Sequence, residues 1–242
     1  MTFAIRSFGG PTVSFTLGGL TFMTDPTFDE PGDYPNGDRK LTKTAPPAGR
    51  PSEAGEVDVV LLSHDEHPDN LDRSGRAFAA TVPLVLSTPA AAGRMGSPVR
   101  GLSPWESTAL RGGVTVTAVP AQHGPDGTEH LTGPVTGFVL HGEGLPTVYV
   151  SGDNASLRVV REIAAKFPSI DVAVLFGGAA RTPLVGDVNL TLDAAGMVAA
   201  ARILGEPAVV AAHVDGWAHF TESRADVSAA FAEAGLSLSP VL

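Results

Sequence analysis

The 242-residue sequence contains no cysteine. That absence removes disulfides, thiolate metal ligands and cysteine nucleophiles together. Aromatic residues make up only 6% of the chain, which leaves no marked interface stripe. No apolar run approaches ~18 residues, so no transmembrane helix is expected. The opening MTFAIRSFGGP lacks a basic stretch leading into an apolar one, so no signal peptide is expected and a cytoplasmic location follows. Basic side chains are scarce: 16 Lys and Arg stand against 26 acidic residues, a formal charge of −10. Phosphate affinity comes chiefly from Lys and Arg, so neither nucleic acid nor an anionic membrane is an expected partner. The sequence also has no G-x-S-x-G, no Walker A motif and no G-x-G-x-x-G, which excludes the familiar serine-hydrolase and nucleotide-binding loops.

What is present fits a folded globular chain, with 43% hydrophobic and 17% charged residues, and the length suits one α/β domain over 1–242. Short β-rich runs at Thr2 to Phe8, Thr12 to Leu17 and Leu20 to Thr24 are divided by glycine-rich turns. Asp29 to Glu56 shows no periodicity and reads as a long loop, a lid or binding loop at the mouth of a site. Its Arg39, Lys40 and Lys43 read either as a solvated surface or as an anion-steering patch. Further strands are expected at Val57 to Leu62, Leu84 to Ser87, Val99 to Leu102 and Val114 to Val119. Gly137 to His141 and Thr147 to Val150 form a hairpin, and Asp171 to Phe176, Ala208 to Ala211 and Leu236 to Leu238 complete the strands. Helices are expected near Leu71 to Ala80, Ser156 to Lys166, Leu192 to Leu204 and Ser223 to Ala234, with Thr191 or Asp193 capping the third.

The strongest signal is positional. Four apolar strands each run into a metal-ligand type of residue: VDVVLLS into His64, VTVTAVPAQ into His123, PTVYVSG into Asp153 and PAVVAA into His213. Strand ends of this kind converge on one sheet edge, where ligands bind. Imidazole and carboxylate are the usual donors for divalent metals when thiolates are absent. The segment His64 to Asp72 adds two histidines and four carboxylates in nine positions, a charge density that calls for hydration or a cation. A helix cap at Asp69 or Asn70 accounts for one of these residues and not for the cluster.

These segments, SHDEHPDNLD, His123, YVSGD and AAHVDGWAHF, resemble the metallo-β-lactamase fold superfamily of metal-dependent hydrolases. The nearest branch looks like the stand-alone hydrolases related to L-ascorbate-6-phosphate lactonase, and the opening hairpin with its Asp25-Pro26 turn is similar too. The resemblance implies a four-layer αββα sandwich with one or two divalent ions at the sheet edge, Zn²⁺ first and Mn²⁺ second. Carried over residue by residue, it implies that His123 completes the first site, Asp153 bridges and His213 completes the second. The first motif is one residue longer than the His-x-His-x-Asp-His form. Either Glu66 or His67 then takes the second ligand position; His64 and His67 with a bulge between them is the preferred match. Asp69 serves the second ion, and Asn70 stands where the family has its last histidine.

The implied reaction is hydrolysis of a small-molecule ester, lactone or phosphoester by water activated on the metal, with Asp69 or Asp153 orienting the nucleophile and carrying its proton. Asp65, Asn70, Arg181 and His219 are weaker candidates for contacts with substrate or with the ligands, and His130 and His141 read as solvent-facing. A nuclease of the same fold, an iron oxidoreductase and a non-catalytic metal- or ligand-binding protein are the rival readings. The sequence does not select the substrate or the oligomeric state.

Overall fold

The computed structural model describes residues 4–242. Thr2 and Phe3, which begin the first expected strand, lie outside the described residues. The chain opens with β1 (Ile5–Gly9), β2 (Thr12–Leu17) and β3 (Leu20–Thr24), then a hairpin of β4 (Gly32–Asn36) and β5 (Arg39–Lys43). It continues through β6 (Val59–Leu61), α1 (Arg73–Ala79), β7 (Leu84–Ser87), α2 (Pro89–Met95), β8 (Val99–Gly101) and β9 (Ser107–Ala109). Next come β10 (Thr115–Pro120), α3 (Glu129–Thr132), β11 (Thr136–His141), β12 (Val148–Val150) and α4 (Leu157–Lys166). The chain finishes with β13 (Val172–Phe176), α5 (Ala194–Ile203), β14 (Ala208–Ala212) and α6 (Arg224–Glu233).

Two six-stranded sheets form, in the orders β1-β2-β3-β6-β7-β8 and β14-β13-β12-β11-β10-β9. Their facing sides share one apolar core, in which Phe15, Phe22, Val59 and Leu61 meet Val116, Phe138, Val174 and Phe176. Outside the second sheet, Val139, Tyr149, Ala173 and Leu175 pack on Val160, Met197, Ala201 and Phe231 of α4, α5 and α6. Outside the first sheet, Met23, Val60, Leu62 and Val85 pack with Ala79 of α1. The layers are therefore helix, sheet, sheet, helix. This arrangement explains why β13 is apolar at every position: alternate side chains enter two different cores, as in any strand covered on both faces. Among the described residues no helix is long and apolar enough to cross a membrane.

The largest departure from expectation lies in 29–56. Instead of an irregular loop, β4 and β5 pair antiparallel, closing at Asn36 and Arg39 around a two-residue turn. Gly37 takes φ 59° there, as two-residue hairpin turns require. The pattern was hidden because both faces of this ribbon are half-exposed and polar, so no alternation appears. Its base is pinned: Thr44 N–H donates to the Gly216 carbonyl at 2.7 Å and Ala218 N–H to the Thr42 carbonyl at 2.9 Å. Helices α2 and α3 and strand β9 had no clear signal, while Leu236 to Leu238 contributes only a single bridge from Leu238 to Val209. Asp193 caps α5. Helix α1 is capped by Asp72, not by Asp69 or Asn70, which frees both of those for other roles.

Asp72 accepts from Gly75 N–H at 2.7 Å and from Asp29 N–H at 2.7 Å, and it pairs with the buried Lys43 at 3.4 Å. The first turn of α1 is pressed against the Asp25-Pro26 turn so closely that a Cβ at Gly75 would lie 1.7 Å from the Pro26 carbonyl oxygen. Glycine is needed there for space. Gly75→Ala, which would gain up to ~1 kcal/mol in an exposed helix, is expected instead to destabilise by about 1–3 kcal/mol, read as a lowered melting temperature. A melting temperature raised by the substitution would contradict the close approach.

Candidate metal centre

The four strand-end residues meet. His64 follows β6 in the first sheet, while His123, Asp153 and His213 follow β10, β12 and β14 in the second. The sheets are tied at this end by Thr136 N–H donating to the Ser63 carbonyl at 3.1 Å and His213 N–H donating to the Gly10 carbonyl at 2.7 Å. Two neighbouring trios result: His64, His67 and His123, and Asp69, Asp153 and His213, each with donor atoms within 4.8 Å of one another.

The hydrogen bonds of the first trio fix its tautomers. Ser63 Oγ donates to Asp25, so it accepts from His64 Nδ1 at 2.9 Å. His123 Nδ1 donates to the Leu190 carbonyl at 3.0 Å. Both Nε2 atoms therefore present lone pairs, and both face His67 Nδ1, at 2.8 Å from His64 and 3.3 Å from His123. His67 can offer one proton between two acceptors. Burial, with the neighbouring imidazoles, holds His64 well below the usual histidine range and His67 down at about 4. Three imidazoles turned inward in this way could hold a cation.

In the second trio, His213 Nδ1 donates to the Gly177 carbonyl at 3.3 Å and Nε2 lies 3.3 Å from Asp69 Oδ2 and 3.6 Å from Asp153 Oδ1. Each member shows one buried atom without a hydrogen-bond partner: Asp69 Oδ1, Asp153 Oδ2 and His213 Nε2. Buried polar atoms are rarely left so, and a divalent ion would satisfy all three. Burial would push His213 down, but Asp153 and Asp69 outweigh it and raise it to about 9. Burial would likewise raise Asp69, yet His219 and His213 hold it well below the usual carboxylate range. The trios adjoin through His123 Nε2, 3.7 Å from Asp153 Oδ2. Both sets fit a divalent metal.

Behind them sits Asp25, which sequence reasoning did not place in the site. It accepts from Ser63 N–H at 2.6 Å and from Asn70 Nδ2 at 3.0 Å, and burial raises it to about 7. The rule that found the other four would have found it too, since it directly follows the apolar strand β3. Asp25 and His213 both hold left-handed backbone, φ 25° and 57°, a strain that clusters at functional sites.

The motif's two extra charges turn away from the trios, Asp65 remaining buried. Asp65 is bound by Arg94, with Nε at 3.0 Å, and by Arg76 at 3.6 Å, and Glu66 pairs with Arg94 at 3.0 Å. Asp65 therefore does not line the site, contrary to expectation, and His67 rather than Glu66 joins His64. Asn70 donates from Nδ2 to Asp153 Oδ1 at 3.0 Å as well as to Asp25. His219 Nε2 donates to Asp69 Oδ2 at 3.0 Å. His130 lies on α3, bonded to the Gly127 carbonyl, and His141 ends β11.

The trios open into a cavity of about 620 Å³ that His67, Asp69, His123 and His219 help to line. Its walls are the β4–β5 tip (36–41), Leu131 and Thr132 of α3, and 180–184 with Leu190. Arg181 lines it but is engaged by Asp187 and, at 2.9 Å, by Asn189.

A family model for the beta-lactamase superfamily domain matches residues 21–214. A UPF0173 metal-dependent hydrolase of Methanosphaerula palustris is 32% identical over 165 residues, 66% of this chain and 69% of that one. The isothiocyanate hydrolase from Delia radicum gut bacteria superposes with a TM-score of 0.81 at 21% identity, covering 96% of this chain and 92% of that chain. A "possible metal-dependent hydrolase" from Veillonella parvula gives a TM-score of 0.81 at 17% identity, covering 99% and 97%. At these identities the two structures show a shared fold.

The metal-free centre carries its proton on His213, while His64 and His67 are neutral at ordinary pH. An ion entering the second trio must displace that proton. At pH 8, below the value of about 9 for His213, uptake there is expected to release about one proton. Its apparent affinity should rise about tenfold per pH unit up to about 9 and then level off. Calorimetry in buffers of different ionisation enthalpy reads the proton count, and uptake without proton release would contradict the assignment.

Proposed function

The chain belongs to the beta-lactamase superfamily, and on that premise we propose that it is a metal-dependent hydrolase of a small-molecule ester, lactone or phosphoester. One observation carries the reading: an all-nitrogen trio and an oxygen-rich trio adjoin at the floor of a single cavity of about 620 Å³, a volume suited to a small ligand. His64, His67 and His123 would hold one ion, and Asp69, Asp153 and His213 the other. Zn²⁺ suits the first set, and Mn²⁺ accepts the oxygen-richer second. When bound, such ions supply Lewis acidity that polarises the scissile group and activates water near neutral pH.

The chain's own residues do the rest. Asp69 lies at the cavity floor, where the carboxylate oxygen not taken by the ion would accept a hydrogen bond from the attacking water and pass its proton to the leaving group. Asp153 stands between the trios, held at Oδ1 by Asn70. Three large hydrophobic side chains are exposed among the described residues, Leu131, Leu184 and the terminal Leu242, and the first two line this cavity. Leu41 and Leu190 extend the apolar wall, so the substrate carries a hydrocarbon portion. Arg39 lines the same wall and reaches only Thr182, at 3.4 Å, which leaves a cation for an anionic substituent. The net charge of −10 favours a small molecule over nucleic acid.

A panel of aryl esters, lactones and phosphoesters tests the proposal. Turnover of at least one class should be abolished by a chelator and restored by Zn²⁺ or Mn²⁺. His64→Ala should lower kcat/KM by about 10³-fold, or ~4 kcal/mol. Protein carrying its full complement of metal that turns over none of the classes would point to a binding role instead.

A further inference from the structure

We propose that His219 is a ligand of the second ion, supplying the imidazole that position 70 does not; the inference rests on the metal centre described above. Asn70 offers no imidazole, and its Oδ1, buried without a partner, is a poor donor for Zn²⁺. Its Nδ2 spends both protons on carboxylates, one on Asp25 Oδ2 and one on Asp153 Oδ1, each at 3.0 Å. It thereby separates two buried acids and positions Asp153. The second trio is left with one imidazole and two carboxylates, one donor short of the tetrahedral set that Zn²⁺ prefers.

His219 stands beside Asp69, just outside the three residues whose donor atoms all lie within 4.8 Å of one another. Two donors bound at about 2.0–2.1 Å and at the tetrahedral angle lie about 3.3 Å apart. His213 Nε2 is 3.3 Å from Asp69 Oδ2, and His219 Nε2 is 3.0 Å from the same oxygen. Both imidazoles thus already stand at ligand spacing from one carboxylate. The His219 side chain has no other hydrogen bond, and its Nδ1 is buried without a partner. Exchanging the Asp69 contact for coordination therefore breaks nothing else.

The backbone fixes the position. Ala218 N–H bonds the Thr42 carbonyl of β5 at 2.9 Å, and the His219 carbonyl accepts from Arg181 N–H at 3.1 Å. Phe220 spans the two histidines, with ring centroids 4.4 Å from His213 and 4.7 Å from His219. His219 also lines the cavity, so an ion held there faces substrate. The segment AAHVDGWAHF therefore delivers two ligands, one at the end of β14 and one six residues on, braced against the β4–β5 hairpin.

The test uses metal content and spectroscopy, with no substrate. Wild type, His219→Ala and His219→Gln are stripped and titrated with Co²⁺ against a competing chelator, and hyperfine-shifted exchangeable imidazole N–H signals are compared by NMR. The expected result is two equivalents in wild type. In His219→Ala the first ion is retained, the second binds more than a hundredfold more weakly, and one N–H signal is lost. Glutamine can still donate to Asp69, so if His219 only positioned that carboxylate, His219→Gln would bind the second ion within tenfold of wild type; that result overturns the proposal. So does an unchanged signal set in His219→Ala, or a wild type that takes up a single ion. Wild type that takes up no metal fails before any variant is compared, and it removes the metal centre itself along with the proposal.

Discussion

Asp25, Asp69, Asp153, His64 and His213 are almost entirely out of water at one sheet edge. Withdrawing so many ionisable groups costs several kcal/mol per charge unless each finds a compensating partner. Every other feature of this end of the molecule answers that demand. The neutral groups are paired: Ser63 and Asn70 donate to Asp25, and carbonyls of Leu190 and Gly177 orient His123 and His213. What the protein does not supply is positive charge. The one cation within the second trio is the His213 imidazolium, whose Nε2 is unpaired together with Asp69 Oδ1 and Asp153 Oδ2. Proton and metal are alternative solutions to the same electrostatic problem, and only the metal also satisfies those three atoms.

The same demand explains the bulged first motif. A strand that delivers His64 inward must deliver its next charged residues somewhere. Asp65 and Glu66 leave the site and are neutralised by Arg94, with Arg76 joining at Asp65. Their departure lets the chain return with His67 and then Asp69 facing the same interior. Three residues later Asp72 ends the segment by capping α1 and holding Lys43. One ten-residue stretch thus feeds both metal trios, an external ion-pair cluster and a helix cap. Its charge density is the sum of four separate local needs.

The floor of the site was legible in sequence because it depends on a rule with little freedom. A buried strand is largely apolar to its end, so an imidazole or carboxylate within the next three residues emerges at the sheet edge; His64, His123, Asp153 and His213 follow that rule, and Asp25 follows it as well. The αββα layering was legible through resemblance and through runs such as β13 that are apolar on both faces. Where burial does not decide, the pattern fades. The β4–β5 ribbon has no buried face to impose alternation, α3 is a single turn, and β9 is three residues long. The role of Asn70 was equally hidden, because its two carboxylate partners lie 45 and 83 residues away in the chain.

This division between floor and wall also divides reaction from substrate. The floor is built from strand ends whose chemistry a sequence displays, and it belongs to a broad superfamily. The wall is built from the hairpin tip, α3 and the 180–190 segment, which are short or irregular and have no buried face to impose a pattern on the sequence. The hairpin is nevertheless no free appendage. Its hydrogen bonds with 216–218 join it to the segment that follows His213 and places His219, so the surface that touches substrate and the edge of the metal centre form one continuous ribbon. Arg39 and Leu41 of the wall lie on the same strand as Thr42, whose carbonyl holds Ala218, the residue before the imidazole beside Asp69. The hairpin whose tip lines the cavity and the segment that places His219 therefore share one set of backbone hydrogen bonds.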